Sequence, residues 1–466
     1  MSRFKKILVG LLLLILVLAV AFVAVVGPWP VYKDSEYKAR YYPQAAAAID
    51  MAVAKTHLSP EPKALQAGWA SADMTPKVGT PMAGYGGRPN EKRSTGVHDP
   101  LYVKAVVLFD GDDYLALVGA DMLQTLPNLT SAVEKRLAAK SPLTANQVLY
   151  QTSHSHCGPG GLAPGIAANI SYGKYDPAVV EFLAERFSQA ILEAYNSMGP
   201  ARIAHGAADV PEYIRNRSRQ GPVDSTLNWL ILDKGGGKRC YVMRYSAHPT
   251  VFGQRMLEFT SEYPGQFQRA VENETGAMAV YLGGAVGSMG PKTPEGPGSA
   301  ERAEAMGKGL ARKLLSSMGQ PVFKDHVDIV SEVSNFDMPP FQMRPASPNY
   351  RVSPVFAKLF GVPPVGRMQV ARVGDVLFVG MPYDFSGETS VKWQAWAKRK
   401  GLELWVTSHS GAYLGYLSPD EYYNVRDEHG GMNYETGLMG WFGPNTEAYM
   451  TDLFQHAAEK LTPTAN

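Results

Sequence analysis

Three times along this chain, two short apolar runs flank a polar link too short for anything but a reversal of direction. Tyr102–Phe109 and Tyr114–Ala120 flank Asp110-Gly-Asp-Asp113, 229–232 and 240–245 flank Lys234-Gly-Gly-Gly-Lys238, and 368–373 and 376–379 flank Gly374-Asp375. Such links predict antiparallel hairpins. Further apolar runs at Val148–Thr152, 279–282 and 402–407 read as strands. Helical patterns lie between them. Asp176-Pro177 supplies an N-cap and an N1 proline, Val179, Val180, Leu183, Phe187, Ile191 and Ala194 share one face, and Gly199-Pro200 stops the helix. Similar patterns cover 265–273, 300–318, 389–399 and 446–461. Hairpins interleaved with helices predict an α/β fold, a mixed sheet with helices packed on it, in a single large domain over 66–466. No internal repeat stands out in the sequence.

The N-terminus sets the compartment. Arg3, Lys5 and Lys6 precede an uninterrupted run of apolar or small residues over 7–26, enough for one bilayer span. The positive flank stays in the cytoplasm, so the rest of the chain is expected outside it, periplasmic or extracellular. An uncleaved signal-anchor over 1–27 is the favoured expectation. A cleaved signal peptide, cut near the small residues at Ala19–Ala24, is the alternative and leaves a secreted protein. Residues 28–65 read as a juxtamembrane connector with a short helix over 43–55. Lys and Arg number 45 against 43 Asp and Glu, for a net charge of +2. With no long block of Lys and Arg, nothing suggests the strongly basic face a nucleic-acid partner needs, and no obligate protein partner is expected. The two cysteines, Cys157 and Cys240, rule out a four-cysteine zinc site and a disulfide scaffold, and are read as buried thiols. The proline-rich, greasy stretch 338–367 is either a packed surface loop or an apolar lip through which a lipid enters.

The densest chemistry sits in Gln151-Thr-Ser-His154-Ser-His156-Cys-Gly-Pro-Gly-Gly161, directly after a strand. If the strand persists, the two histidines face the same way, because side chains alternate with a period of two. The glycine-rich run then lets the backbone turn beside a ligand. Tyr245-Ser-Ala-His248-Pro249 and Met381-Pro-Tyr-Asp384-Phe385 also follow strands. Imidazole nitrogen and carboxylate oxygen together suit zinc, with one position left open in a catalytic site.

Ser153-His-Ser-His-Cys-Gly-Pro-Gly-Gly161 resembles the Thr-His-Thr-His-Ser-Gly-Pro-Gly-Gly signature of the neutral ceramidases. The resemblance continues in order from Gly68 to about Thr446, through Gly96-Val-His98-Asp-Pro-Leu101, Asn216-Arg217-Ser218, Ala247-His248-Pro249 and Ser261-Glu262-Tyr263. It ends with Pro382-Tyr-Asp384-Phe-Ser386, where that family has glutamate at the acid, then Ala412-Tyr-Leu-Gly-Tyr416, Asp420-Glu421-Tyr422 and Tyr434-Glu435. It implies one zinc ion bound by His154, His248, Asp384 and Tyr416, with His156, Arg217 and Tyr434 at the scissile amide or its oxyanion. His98 is expected to be packed rather than a ligand.

Two departures stand out. The family's Gly-Asp-x-Ser-Pro loop, with its essential serine, is here Gly287-Ser288-Met-Gly290-Pro291, and Ser288 is the residue placed to substitute as a hydrogen-bond donor. The family's C-terminal β-sandwich is not expected here, since the sequence read runs to Asn466. Zinc can still lower the pKa of a bound water to roughly 7, with Asp384 moving the proton. The expectation is a zinc-dependent amidohydrolase cleaving N-acylsphingosine, or a similar lipid-like amide, to a fatty acid and an amine. The alternatives are a hydrolase of the same fold for another amide or ester, and a non-catalytic, membrane-tethered lipid-binding protein.

Overall fold

After an N-terminal helix, α1 (Arg3–Val25), and a second helix, α2 (Tyr42–Val53), the chain builds the same plan three times. The computed structural model describes residues 2–32, 37–58, 61–427 and 429–462. In the first unit β1 (Gln66–Asp73), β2 (Tyr102–Phe109) and β3 (Tyr114–Ala120) pair antiparallel in turn. Helix α3 (Pro127–Ala138) then crosses over, so that β4 (Val148–Thr152) lies parallel to β3. Helix α4 (Pro177–Asn196) leads into the second unit, made of β5 (Arg202–Asp209), β6 (Thr226–Asp233), β7 (Arg239–Tyr245), crossover helix α5 (Glu262–Thr275) and β8 (Met278–Gly283). Helix α6 (Ser299–Ser317) leads into the third. There β9 (Ile329–Asp337) is followed by a short helix α7 (Pro354–Phe360), β10 (Val365–Val373), β11 (Val376–Gly380), crossover helix α8 (Gly387–Arg399) and β12 (Glu403–Thr407). Helix α9 (Thr446–Leu461) closes the described chain.

All three expected hairpins are present, and so is the mixed α/β class. Two features differ from expectation. The main sheet is not one but three, of four or five strands, each with a parallel pair formed by its last long strands; the other sheets among the described residues are two-stranded. The chain also carries a threefold repeat of topology, invisible as a repeat because each unit packs different side chains behind the same backbone plan. The opening strands β1, β5 and β9 went unrecognised because glycine, alanine, serine or a buried Glu332 break their apolar alternation.

Alternation explains the layering. Val106 and Leu108 of β2, Leu230 and Leu232 of β6, and Val376 and Phe378 of β11 turn to one shared interior among the three sheets. The opposite faces carry Val103, Ala105 and Val107, or Val370 and Val379, and are covered by helices. Asp176 caps α4 by accepting from the amide of Ala178. The second and third units are joined by a polar clamp. Buried Arg244 donates to the carbonyl of Val406 (2.9 Å) and to the Asp224 carboxylate, which also accepts from Ser246 (2.7 Å) and Ser390 (2.8 Å). Burial raises the pKa of Asp224, but the Arg244 guanidinium outweighs it and holds the carboxyl below its usual range.

Helix α1 is long and apolar enough to cross a membrane, and none of it is buried in the protein. The expected connector helix is α2, and it is packed rather than free, with Ala45 and Ile49 in the core of the third unit. The 338–367 stretch is likewise ordered. Tyr350–Arg351 pairs with Trp29–Pro30, and Ser353 caps α7 while its hydroxyl donates to the carbonyl of Ala24 (2.6 Å).

Removing one partner of a buried pair leaves the other charge uncompensated. Arg244→Met is therefore expected to lower unfolding free energy by about 3–5 kcal/mol in urea denaturation. A loss below about 1 kcal/mol would show that the clamp does not join the units.

Candidate metal centre and cleft

The three units present their strand ends on the same side, and six loops meet there. One loop follows the first strand of each parallel pair and one follows the second. The first unit contributes Leu123 and Thr125, then His154 and His156; the second contributes His248, then 284–291; the third contributes Asp384, then His409, Tyr413 and Tyr416. Carboxyl ends of strands are where α/β folds place ligands.

His154 is held by a hydrogen bond from its Nδ1 to the carbonyl of Leu123 (2.8 Å), and His248 by one from its Nδ1 to the carbonyl of Val286 (3.1 Å). Each Nδ1 thus carries the proton and each Nε2 presents a lone pair. The Nε2 of His156 lies 3.2 Å from that of His154 and 2.8 Å from that of His248. The Oδ1 of Asp384 lies 3.4 Å from His154 Nε2, while its Oδ2 accepts from the Tyr413 hydroxyl (2.7 Å). Two glycines make this crowding feasible. A Cβ on Gly84, whose φ is +93°, would lie 2.8 Å from the His156 ring, and one on Gly287 would lie 2.6 Å from the carbonyl oxygen of Asp384.

Burial pushes the imidazoles of His154 and His248 well below their usual pKa, and that of His156 down to about 3. All three are therefore neutral at neutral pH. Burial works against the charge on Asp384, but the neighbouring His409 and the Tyr413 hydroxyl outweigh it and hold the carboxyl below the ordinary carboxylate range. Asp384 Oδ1 and His156 Nδ1 are buried without a hydrogen-bond partner among the described residues. The one N–H of neutral His156 cannot satisfy both facing imidazole nitrogens and the bare carboxylate oxygen, and a cation among them would. The donor set is that of zinc: neutral nitrogen plus carboxylate oxygen. His154, His156 and His248 can reach one ion, and so can His154, Asp384 and His409.

Beside these groups a cleft of about 340 Å³ is lined by Tyr85, His156, Arg217, His248, Tyr416 and Tyr434 among others. Arg217 donates through Nε (3.1 Å) and Nη2 (2.8 Å) to the carbonyl of Gly287, and through Nη2 to the Tyr416 hydroxyl (3.0 Å). Two residues on, Arg219 bridges Glu388 and Glu435 at 2.7 Å each. Burial pushes the Tyr416 phenol well above its usual pKa, and the Asp384 carboxylate adds to that, so it is protonated in the protein alone. Tyr434 stands at the rim, 55% exposed, its ring edge-on to Tyr416 at 5.7 Å.

The structure thus brings His154, His156, His248, Asp384, Arg217, Tyr416 and Tyr434 to one place. It does not bring Ser288 there. That hydroxyl is fully buried, donates to the Glu388 carboxylate and accepts from the amide of Gly387 at the start of α8 (3.0 Å), so its place is in the wall behind the cleft. Gly290 pairs with Arg215 and offers no side chain in its stead. His98 lies outside both ligand groups, and it is exposed rather than packed as expected, its ring beside Asp99 and Phe252. Cys157 and Cys240 are buried free thiols. Sequence reasoning missed His409, Tyr413 and the two carbonyls that orient the histidines. A signal for His409 was present: it follows the end of β12 as His154 follows β4.

Residues 65–223 match the family described as neutral/alkaline non-lysosomal ceramidase, N-terminal. A neutral ceramidase of Mycobacterium tuberculosis is 28% identical over 151 residues, which is 30% of this chain and 23% of that protein. A neutral ceramidase of Pseudomonas aeruginosa is 22% identical over 254 residues, 50% of this chain and 38% of that protein. The matches therefore span well under two thirds of either relative's length. The solved structure of the Pseudomonas aeruginosa neutral ceramidase superposes with a TM-score of 0.72 at 19% identity, covering 87% of this chain and 76% of that one. A ceramidase complexed with C2 gives a TM-score of 0.71 at 18% identity, with the same coverage. The fold is that of the solved ceramidases, and residues 65–223 are similar to the N-terminal part of the neutral/alkaline non-lysosomal ceramidases.

Ser288→Ala removes one of the partners of buried Glu388. It is expected to cost about 1–3 kcal/mol in thermal or urea unfolding while zinc affinity stays unchanged. Unaltered stability together with abolished amide turnover would instead return Ser288 to the reaction.

Proposed function

We propose that this chain is a zinc-dependent hydrolase of N-acyl amide bonds in lipids of the ceramide type, working at the outer face of a membrane. The observation that supports the reading is the convergence, next to an open cleft, of two oriented imidazole lone pairs and one carboxylate. His154, His248 and Asp384 would hold the ion, with Tyr416 beside them through Arg217. Zinc, when bound, supplies Lewis acidity that polarises a carbonyl and acidifies water.

The remaining work falls to the chain's own side chains. Arg217, fixed on the carbonyl of Gly287, brings a permanent positive charge to the cleft wall, where it favours an oxyanion developing on the scissile carbonyl. The same guanidinium fixes the Tyr416 hydroxyl. His156 is neutral, so it contacts the amide as a hydrogen-bonding group rather than as a cation. Tyr434, at the rim, bounds the path by which the substrate enters. Asp384 has one oxygen engaged by Tyr413 and one bare, and the bare one is the atom that would face the ion. Products are a fatty acid and an amine.

The membrane reading rests on α1 and on the ordered apolar segment at its base. Val355 and Leu359 of α7 are 44% and 68% exposed, next to the exit of α1. The same segment reaches the cleft rim, because the amide of Arg344 donates to the carbonyl of Gly437 within the stretch that carries Tyr434. A hydrolase of the same fold for another amide or ester is the second reading. It is favoured by the buried, committed Ser288 and by glycine at position 290.

Zinc analysis and ceramide hydrolysis by the purified protein, beside His154→Ala, test the proposal. Stoichiometric zinc with turnover, both lost in the variant, is expected; zinc without ceramide turnover would turn the search to other amides and esters. Val355→Asp combined with Leu359→Asp is expected to lower turnover of vesicle-embedded substrate by about tenfold or more and to spare a soluble short-chain amide. Equal loss on both would remove α7 from the membrane contact.

A further inference from the structure

We propose that the short helix Ile166–Tyr172 carries an acyl-chain subsite, in which Ile166 and Ile170 receive the hydrocarbon tail of an N-acyl amide held in the cleft. The inference rests on the hydrolase reading above and adds to it the residues that choose among substrates by the length of their acyl chain.

The stretch from Cys157 to Gly173 contains no Asp, Glu, Lys or Arg. Within it the helix is set off by two glycines of positive φ, Gly165 at 111° and Gly173 at 69°. Its inner end is anchored, because Tyr172 is buried and its hydroxyl accepts from Gln124. Ile166 and Ile170 are four residues apart and so share one face. They are 78% and 51% exposed. A lone exposed apolar side chain is ordinary on any surface, whereas neighbouring ones on an uncharged stretch mark a contact surface.

That surface is continuous with the cleft. Tyr85 lines the cleft, its ring centroid 4.8 Å from that of His156. On one side of it, the amide of Gly84 donates to the carbonyl of Ser171 (2.8 Å). On the other stands Gly86, where an added Cβ would lie 3.3 Å from Ile170 Cγ2. Ile170 therefore adjoins the cleft wall, and Gly86 offers no side chain to part it from Tyr85.

The rest of the cleft sends the tail in this direction. Its volume of about 340 Å³ is at the small end for an organic ligand, so a long tail has to continue outside it. The wall built by Ser218, Asn433 and Glu435 is polar, with the Glu435 carboxylate accepting from Ser218 and Arg219. A hydrocarbon chain laid there would strip those groups of water without replacing it. An amine product, charged at neutral pH, suits that wall instead. The acyl chain then leaves the other way, over Tyr85 and Gly86 to the two isoleucines.

A bilayer is the competing occupant of the isoleucines, and it would matter only for substrate presented in a membrane. The test therefore keeps the full chain in an amphipathic polymer, free of vesicles and micelles. The substrates are acetyl, hexanoyl and decanoyl amides of one water-soluble amine. Thermal melts establish that Ile166→Ser combined with Ile170→Ser folds. Its kcat/KM for the decanoyl amide relative to the acetyl amide is expected to fall about tenfold or more, and leucine at both positions to restore the ratio. Calorimetric titration with decanoate, the acyl product, reads the subsite without turnover and is expected to show binding weakened about tenfold. An unchanged ratio in the folded serine variant would overturn the subsite. So would a loss confined to vesicle-embedded amide, which would assign the isoleucines to the bilayer; both results leave the hydrolase reading intact. Absence of turnover by the unmodified chain on the whole series would overturn the hydrolase reading. The decanoate titration then decides the subsite alone, weaker binding in the serine variant upholding it and equal binding removing it.

Discussion

The hydrogen bonds from His154 Nδ1 to Leu123 and from His248 Nδ1 to Val286 keep each imidazole in the tautomer whose Nε2 is bare. Everything else at the centre follows from where those lone pairs point. They point into a buried region beside His156, with the Asp384 carboxylate next to His154, and a cation placed there would satisfy them. The acceptors are backbone carbonyls, so the orientation depends on loop path rather than on any side chain that substitution could remove. Loop path depends in turn on the strands that launch it.

Those strands come from three sheets of one topology. Each unit ends with a parallel pair, and each parallel pair needs a crossover helix that returns the chain to the same end of the sheet. Two loops per unit are thereby delivered to a common side, while the shared interior of Val, Leu and Phe fixes the sheets against one another. The Arg244–Asp224 clamp fixes the second unit to the third a few residues before His248. A site assembled from three sheets can hold donors about 3 Å apart only if those sheets do not slide, which is why so many polar groups near the strand ends are buried and paired.

The parts legible in the sequence were those that a strand end and a short motif announce together. His154, His156, His248 and Asp384 each follow a recognisable apolar run, and the three hairpin links fixed most of the central strands. The three-sheet arrangement was not legible. A strand apolar on both faces shows that both are covered, not by what, so helices and neighbouring sheets look alike. The opening strand of each unit escaped because β1 and β5 pack close to other elements through glycine and alanine, which carry no strand signal. Ser288 was misplaced because a loop motif gives an order of residues but not a direction, and here the hydroxyl turns toward Glu388 and the start of α8. His409 was overlooked because a single histidine in a serine-rich turn means little until its twin 255 positions earlier is found stacked on it.

The central claim is that the six strand-end loops enclose one metal ion. A crystal structure of the zinc-loaded protein, measured on both sides of the zinc absorption edge, tests it most directly. The account predicts a single anomalous peak bounded by His154, His248 and Asp384, at zinc–donor distances of about 2.0–2.2 Å. No peak there, or a peak confined to surface residues, would contradict it.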